Sequence, residues 1–281
     1  MELETKIYER GKSLSIFKLI HDSLRDLYKS RFLAKQLATR DIKSQYRQSF
    51  LGIFWAFVGP LSTAFVWIFL NKSGAVAIDD TGVPYPLFVF CGTLLWSTLV
   101  EAINTPLSNT NAAKGILSKI NLPKEAIILS GIYKLLFNSS FKFLLIVFFL
   151  IYYKVNLSWS ILYFPLSFLV LIMAGTTIGL ITTPLGMLYT DVARLISLSM
   201  SFIMYITPVV YVMPKEGIMK VLMEINPLTP LLLVNKTLLL GTPMEYLNYF
   251  LWIAVVMIPL FLIALVVYRV SIPVIIERFS A

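Results

Sequence analysis

From Phe50 to Leu70 the chain runs 21 residues without a charge, directly after a segment that carries Arg40, Asp41, Lys43 and Arg47. A helix rising ~1.5 Å per residue crosses the ~30 Å apolar core of a bilayer in a run of that length. The junction between Thr39 and Pro60 therefore fixes where the chain first meets the membrane. The rest of the sequence is of the same kind: 58% of the residues are hydrophobic and only 14% charged, against about 25% charged in soluble domains.

Charge-poor windows predict six membrane-spanning helices: Phe50 to Leu70, Val83 to Thr105, Ala126 to Tyr153, Leu157 to Leu185, Leu195 to Val212 and Tyr246 to Tyr268. Lys134 and Lys142 interrupt the third, and Pro165 and Pro184 can kink the fourth. With the amino terminus inside, seventeen of the 24 Lys/Arg fall in inside segments, eleven of them before Phe50, and five fall outside. The positive-inside rule then places both termini in the cytoplasm. Residues 1–49 form a cytoplasmic segment and residues 50–281 a six-span transmembrane domain. A cleavable signal peptide is not expected, because the first 49 residues lack a continuous apolar core. The net charge of +9 sits beside membrane spans, so topology accounts for it and nucleic-acid binding is not expected.

Two segments outside the spans have a pattern of their own. Between Ser15 and Ala38, Ile16, Ile20, Leu24, Leu27 and Tyr28 recur at helical spacing with Lys18, Asp22, Arg25, Asp26 and Lys29 between them. That is an amphipathic helix suited to the headgroup layer, with a soluble helical cap as the alternative. On the outer side, Met213 to Glu245 is apolar but broken by Pro227 and Pro230, which predicts two short helices dipping back toward the outer leaflet.

Chemistry-bearing motifs are scarce. One cysteine, Cys91, and one histidine, His21, exclude an intramolecular disulfide, a cysteine metal site and a multi-histidine centre. Gly11-Lys12-Ser13 lacks the first glycine of a phosphate-binding loop, since position 6 is Lys6. The chain is expected to carry no catalytic site, metal or cofactor of its own. Gly175 and Gly179 give a small-xxx-small pattern for close helix packing, in a bundle or at a dimer seam.

Ionisable residues within the spans are costly and mark function. Lys134 is expected to snorkel toward the cytoplasm. Lys142 lies deeper and is the candidate for facing a polar cavity, where it would meet an anionic substrate; the alternative is an internal pairing of Glu101 with Lys142 or Lys134. Trp55, Trp67, Trp96, Tyr205 and Tyr211 either anchor at the membrane interface or line a passage for sugars, whose apolar C–H faces stack on aromatic rings. Cytoplasmic loops at Asn111 to Ala126 and Gly186 to Leu195 are polar enough to dock on a soluble partner.

Four blocks carry a resemblance. Arg40-Asp41-Ile42-Lys43 with Tyr46, Leu51-Gly52, Trp55 and Pro60 form the first, and Ile120-Asn121-Leu122-Pro123-Lys124-Glu125 the second. The third combines Tyr189, Asp191, Val192 and Leu195 with Thr207-Pro208-Val209-Val210-Tyr211, and the fourth is Ile225-Asn226-Pro227-Leu228-Thr229-Pro230. In this order on a six-span frame, they resemble type-2 ABC exporter permeases, in the branch that exports O-antigen, capsule and teichoic acid. Lys124 and Thr190 depart from the pattern, which more often has Arg at both.

The resemblance implies an all-α half-transporter. Two copies would form the channel for a lipid-linked polysaccharide, and two copies of a separate ATPase would bind ATP and Mg beneath them in the bacterial inner membrane. Lys114, Lys119, Asn121, Leu122, Pro123, Lys124 and Glu125, with Asp191 and Arg194, would couple to that ATPase. Arg40, Asp41, Lys43 and Tyr46 would form the interface elbow. Asn226, Pro227 and Pro230 would belong to the outer gate. Rival expectations are a permease for a drug or small lipid, a secondary transporter, and a membrane enzyme acting on lipid-linked sugars.

Overall fold

The computed structural model describes residues 15–47, 54–76, 80–120, 122–156 and 158–280. Among them every regular element is helical. Asn121, Gly11-Lys12-Ser13 and the Phe50–Ile53 start of the first expected span lie outside the described residues.

The amphipathic segment is two helices rather than one, α1 (Ile16–Lys29) and α2 (Arg31–Arg47). The break falls at Ser30, whose hydroxyl donates to the Asp26 carbonyl at 2.6 Å. A side chain that offers the backbone such a partner competes with the helical ladder. α1 buries Ser23, while Ile16, Phe17, Leu24 and Tyr28 are exposed. Its apolar stripe is thus divided: Leu27 packs against the core, while Ile16, Phe17, Leu24 and Tyr28 are left facing outward. α2 lies along the next helix but two, burying Ala34 and Ala38, whose small side chains permit close approach.

α3 (Trp55–Lys72) follows, then α4 (Tyr85–Leu117), α5 (Lys124–Tyr152) and α6 (Phe164–Leu188), the last entered through a 3-10 turn at Trp159–Tyr163. Pro123 precedes α5, and Glu125 stands in its first turn, where a carboxylate complements the helix dipole. α7 (Asp191–Ile203) runs into a 3-10 turn, Met204–Ile206. α8 (Ile218–Ile225) and α9 (Leu228–Leu240) meet at 88°, and α10 (Leu247–Ser280) closes the chain. Gly241 ends α9 in the left-handed conformation at φ 69°, which a side chain would strain.

Among the described residues, four helical segments are long and apolar enough to cross a membrane: Tyr85–Leu117, Lys124–Tyr152, Trp159–Leu188 and Leu247–Arg278; the bent α8–α9 pair would make a fifth if it acts as one span. α3, with 18 residues, and α7, with 13, are shorter than the runs expected from sequence. At ~1.5 Å per residue α7 reaches only about 20 Å. The fifth window is broken beyond Ile206, where Thr207 and Pro208 end the helix.

α4 is the central post. It packs against α3, α5, α6, α7 and α9, and 78% of its most apolar window is buried, against 22% for α10. The small residues of α6 make its closest contact. A Cβ on Gly175 would lie 2.7 Å from Ala102 Cβ, and one on Gly179 would strike the Ile103 carbonyl and Pro106. The Gly175–Gly179 pattern therefore serves packing within one chain. Outward faces of α5, α6 and α10, such as Leu144, Phe148, Leu166, Trp252 and Val255, carry exposed apolar side chains, as a lipid-facing surface requires.

Candidate functional site

Among the described residues, the buried charges of this apolar bundle, Lys142, Glu125 and Lys236, fall in three polar constructions. The first joins α2, α4 and α5. Lys142 on α5 is 4% exposed; its ammonium donates to Glu101 Oε2 on α4 at 2.9 Å and to Ser97 Oγ at 3.2 Å. The other Glu101 oxygen accepts from Asn138 Nδ2 at 2.7 Å, and Asn138 Oδ1 accepts from the Tyr46 hydroxyl at 2.8 Å. Burial, and after it the Glu101 carboxylate, push the Tyr46 phenol up from its ordinary 10.0, which keeps it a neutral donor. Of the two roles open to Lys142, pairing with Glu101 is the one the structure shows.

Beside this network lies a polar cavity of about 490 Å3. α2 contributes Asp41, Ser44 and Gln45; α4 contributes Glu101, Asn104, Thr105, Ser108 and Asn109; Lys134 and Asn138 come from α5. Lys134, expected to snorkel, is the cation that faces it. Asp41 is held by Arg40 through Nε at 2.9 Å and Nη2 at 2.8 Å, while Lys43 is exposed. Arg40, Asp41 and Tyr46 are thus tied to the wall of one cavity, which the sequence presented only as an elbow.

The second construction ties together three elements at the end of the bundle where α4 turns into α5. Arg269 on α10 donates from Nη1 to Glu125 Oε1 at 2.5 Å and from Nη2 to Asp26 Oδ2 on α1 at 2.7 Å. Glu125 is 3% exposed, so it serves α10 and α1 rather than an outside surface. Elsewhere in the expected coupling loop, Lys119 and Pro123 are exposed, and Lys114, Leu122 and Lys124 are half-buried. Leu122 packs beneath α2, beside Leu37, Ile116 and Ile127. Leu117, Lys119 and Lys124 face Pro273 and Glu277 of α10 across a hollow of about 380 Å3. Asp191 and Arg194 form a separate exposed pair, 3.9 Å apart, at the start of α7.

The third construction closes the opposite end. The chain breaks at Thr207–Val209 and again at Asn226–Pro227, and both breaks leave carbonyls without helical partners. Asn226 Nδ2 donates to Ile206 O at 3.0 Å and to Thr207 Oγ1 at 2.8 Å, while its Oδ1 caps α9 through Leu228 N at 3.0 Å. Lys236, only 2% exposed, donates to Pro208 O and Val209 O at 3.0 Å each and stands 3.4 Å over the Phe88 ring. Two buried donors thus satisfy the backbone of a broken region inside the bundle. Pro227 caps α9, and Pro230 is buried in its first turn.

Among the aromatics, Trp67 and Tyr211 have ring centroids 6.3 Å apart, and the Tyr211 hydroxyl donates to the Tyr205 carbonyl. Trp96 is buried in the core around α4, and Trp55 is exposed. Asn138, Arg269 and Lys236 were not anticipated from sequence. For Lys236 the available signal is its place in the run LLLVNKTLLLG, a cation in apolar surroundings.

Long apolar helices with internally paired charges and two clamped chain breaks define a polytopic membrane protein. The chain belongs to the ABC-2 type transporter family, whose model matches residues 33–232. It is 24% identical over 212 residues to the O-antigen export system permease protein RfbA of Myxococcus xanthus, covering 74% of this chain and 80% of that protein. A Klebsiella pneumoniae protein of the same name is 24% identical over 216 residues, covering 75% and 81%.

Proposed function

We propose that this chain is the membrane subunit of an ATP-driven exporter that moves a lipid-linked polysaccharide across the bacterial cytoplasmic membrane. The similarity to two proteins named O-antigen export system permeases, across about three quarters of the chain, carries this reading. Two copies form the channel, and two copies of a separate ATPase bind ATP and Mg on the cytoplasmic side. The chain itself performs no catalysis. Both termini are cytoplasmic; α3 to α6, α7 with the turn that follows it, and α10 are the six spans. α1 and α2 form the interface element in the headgroup layer, and the α8–α9 pair is the outer gate.

The geometry supplies a mechanical route for this reading. The ATPase pushes on the 111–125 segment, which comprises the last turns of α4, the connection that follows and the start of α5. Because Arg269 holds Glu125 and Asp26 together, the start of α5, α1 and α10 respond as one body. The Tyr46–Asn138–Glu101 bonds tie α2 to α4 and α5. At the far end, Asn226 and Lys236 hold the gate backbone closed until α4 and α9 shift.

The test is reconstitution of the full chain with its ATPase in vesicles loaded with lipid-linked O-polysaccharide. ATP-dependent movement of the polymer is the expected outcome, with Leu122→Asp cutting export about tenfold or more while ATP hydrolysis continues. Unchanged export in Leu122→Asp refutes the coupling assignment, and export without ATP refutes the exporter assignment. An apolar groove of about 630 Å3, lined by Ile103, Ile178, Leu195, Ile203 and Leu222 among others, favours a second reading, export of a small lipid or drug. Movement of such a compound in place of the polymer would establish it.

A further inference from the structure

The cavity between α2, α4 and α5 has a lining whose charges do not cancel in the way its composition suggests. It holds two carboxylates, Asp41 and Glu101, and a single ammonium, Lys134. Each carboxylate already has its own cation, Arg40 for Asp41 and Lys142 for Glu101. What remains toward the cavity is the positive charge of Lys134, which has no partner among the described residues.

The neutral groups divide in the same direction. Asn138 spends its nitrogen on Glu101 and its oxygen on Tyr46. Asn104, Thr105 and Ser108 donate to carbonyls of their own helix, leaving lone pairs on their oxygens. Gln45, at the rim, has no partner among the described residues. Asn109 is the outlier. It is 8% exposed and its Nδ2 has no hydrogen-bond partner among the described residues. It stands in the wall between this cavity and a void of about 20 Å3 under Arg40. A buried amide without a partner costs ~1–3 kcal/mol, and the broad terminal torsion of asparagine lets it turn toward a ligand.

We propose that this cavity binds a phosphate-bearing polyhydroxyl headgroup, with Lys134 on the phosphate and Asn109 and Gln45 donating to its oxygens. The exposed oxygens of Asn104, Thr105 and Ser108 accept from the ligand's hydroxyls. One anionic charge satisfies Lys134, and a volume of about 490 Å3 is within the ~300–1,000 Å3 of small-molecule sites. The cavity's floor is Glu101 and Asn138, and its rim is α2, so an occupied headgroup is read by the same bonds that join α2 to α4 and α5. The proposal rests on the exporter reading only for the source of the ligand. Two sources share the chemistry, the sugar-phosphate end of the exported glycolipid and a membrane lipid such as phosphatidylglycerol.

The experiment uses the full chain in phosphatidylcholine nanodiscs, without ATP or ATPase, and radiolabelled glucose 1-phosphate as probe. Saturable binding is expected. Lys134→Gln and Asn109→Ala should each weaken it about tenfold or more, the scale of a lost charge-assisted hydrogen bond. Lys134→Arg should retain it, as should Lys154→Ala on a distant turn. Lys134→Arg, which keeps the charge, serves as the folding control for Lys134→Gln.

A second arm replaces half of the phosphatidylcholine with phosphatidylglycerol. Displacement of the probe from wild type and from Lys134→Arg alike assigns the site to the membrane lipid; undisturbed binding assigns it to the sugar phosphate. Absence of saturable binding in the first arm, or equal binding by wild type and Lys134→Gln, overturns the proposal. A chain that exports polymer but fails here loses only this inference, and one that binds but does not export loses only the exporter reading.

Discussion

Lys142 and Lys134 lie eight residues apart on α5, and the structure exchanges the roles their depth suggested. Lys142 is the neutralised partner of Glu101, at 2.9 Å, and Lys134, unpaired among the described residues, is the cation that lines the cavity. Removing one member of a buried pair strands the other charge and costs ~3–5 kcal/mol when both are fully buried. Glu101 opens on the cavity, which reduces this. Lys142→Met is therefore expected to destabilise the protein by about 2 kcal/mol in thermal unfolding in detergent, with Glu101→Gln added to it recovering most of the loss. Additive losses would mean that the pair is not the interaction that matters. Sequence displayed all three ionisable groups and even offered this pairing. It could not select it, because the choice depends on the relative rotation of α4 and α5.

At the scale of elements, the α4–α6 contact was visible as Gly175 and Gly179, and only its partner was open. The nearest atoms are backbone and side chains of α4 in the same chain. Overpacking such a seam costs ~1–3 kcal/mol. Gly179→Leu should lower the melting temperature by several degrees and reduce monodisperse yield, while Gly115→Leu, where a Cβ meets nothing within 4 Å, should not. Equal effects would remove the seam from the list of packing determinants. The proline-marked break at Asn226–Pro227 was also legible, since proline cannot supply a helical donor. The depth of α9 was not. Its residues from Leu228 to Leu232 are buried, because α4 and α6 together present a surface that no local pattern describes. The spacing of apolar residues from Ser15 to Ala38 describes one continuous helix, and Ser30 breaks it through a hydrogen bond available to many mid-helix serines.

For the whole molecule, topology is the property that one labelling experiment decides. Cys91 is 0% exposed, so the native chain should give no background with an impermeant maleimide. Lys119→Cys is expected to label only from the cytoplasmic side and Lys154→Cys only from the outside, in sealed spheroplasts against inverted vesicles. Labelling of both from one side would overturn the inside–outside assignment and the orientation of the proposed gate with it.

The sequence by itself determined that this is a helical membrane protein, approximately where its apolar segments run, and which charges and prolines interrupt them. Those features follow from composition along a single dimension: apolar length against bilayer thickness, and the placement of Lys/Arg. Tertiary structure alone decided which interruptions meet. Glu125 joins Asp26 through Arg269, 144 residues away from it in the chain. Lys236 reaches back to the carbonyls at Pro208 and Val209, and Asn109 stands in a cavity wall with its Nδ2 unpartnered among the described residues. Such contacts arise from helix rotation and crossing, which burial of the whole bundle sets, and no window of neighbouring residues encodes them.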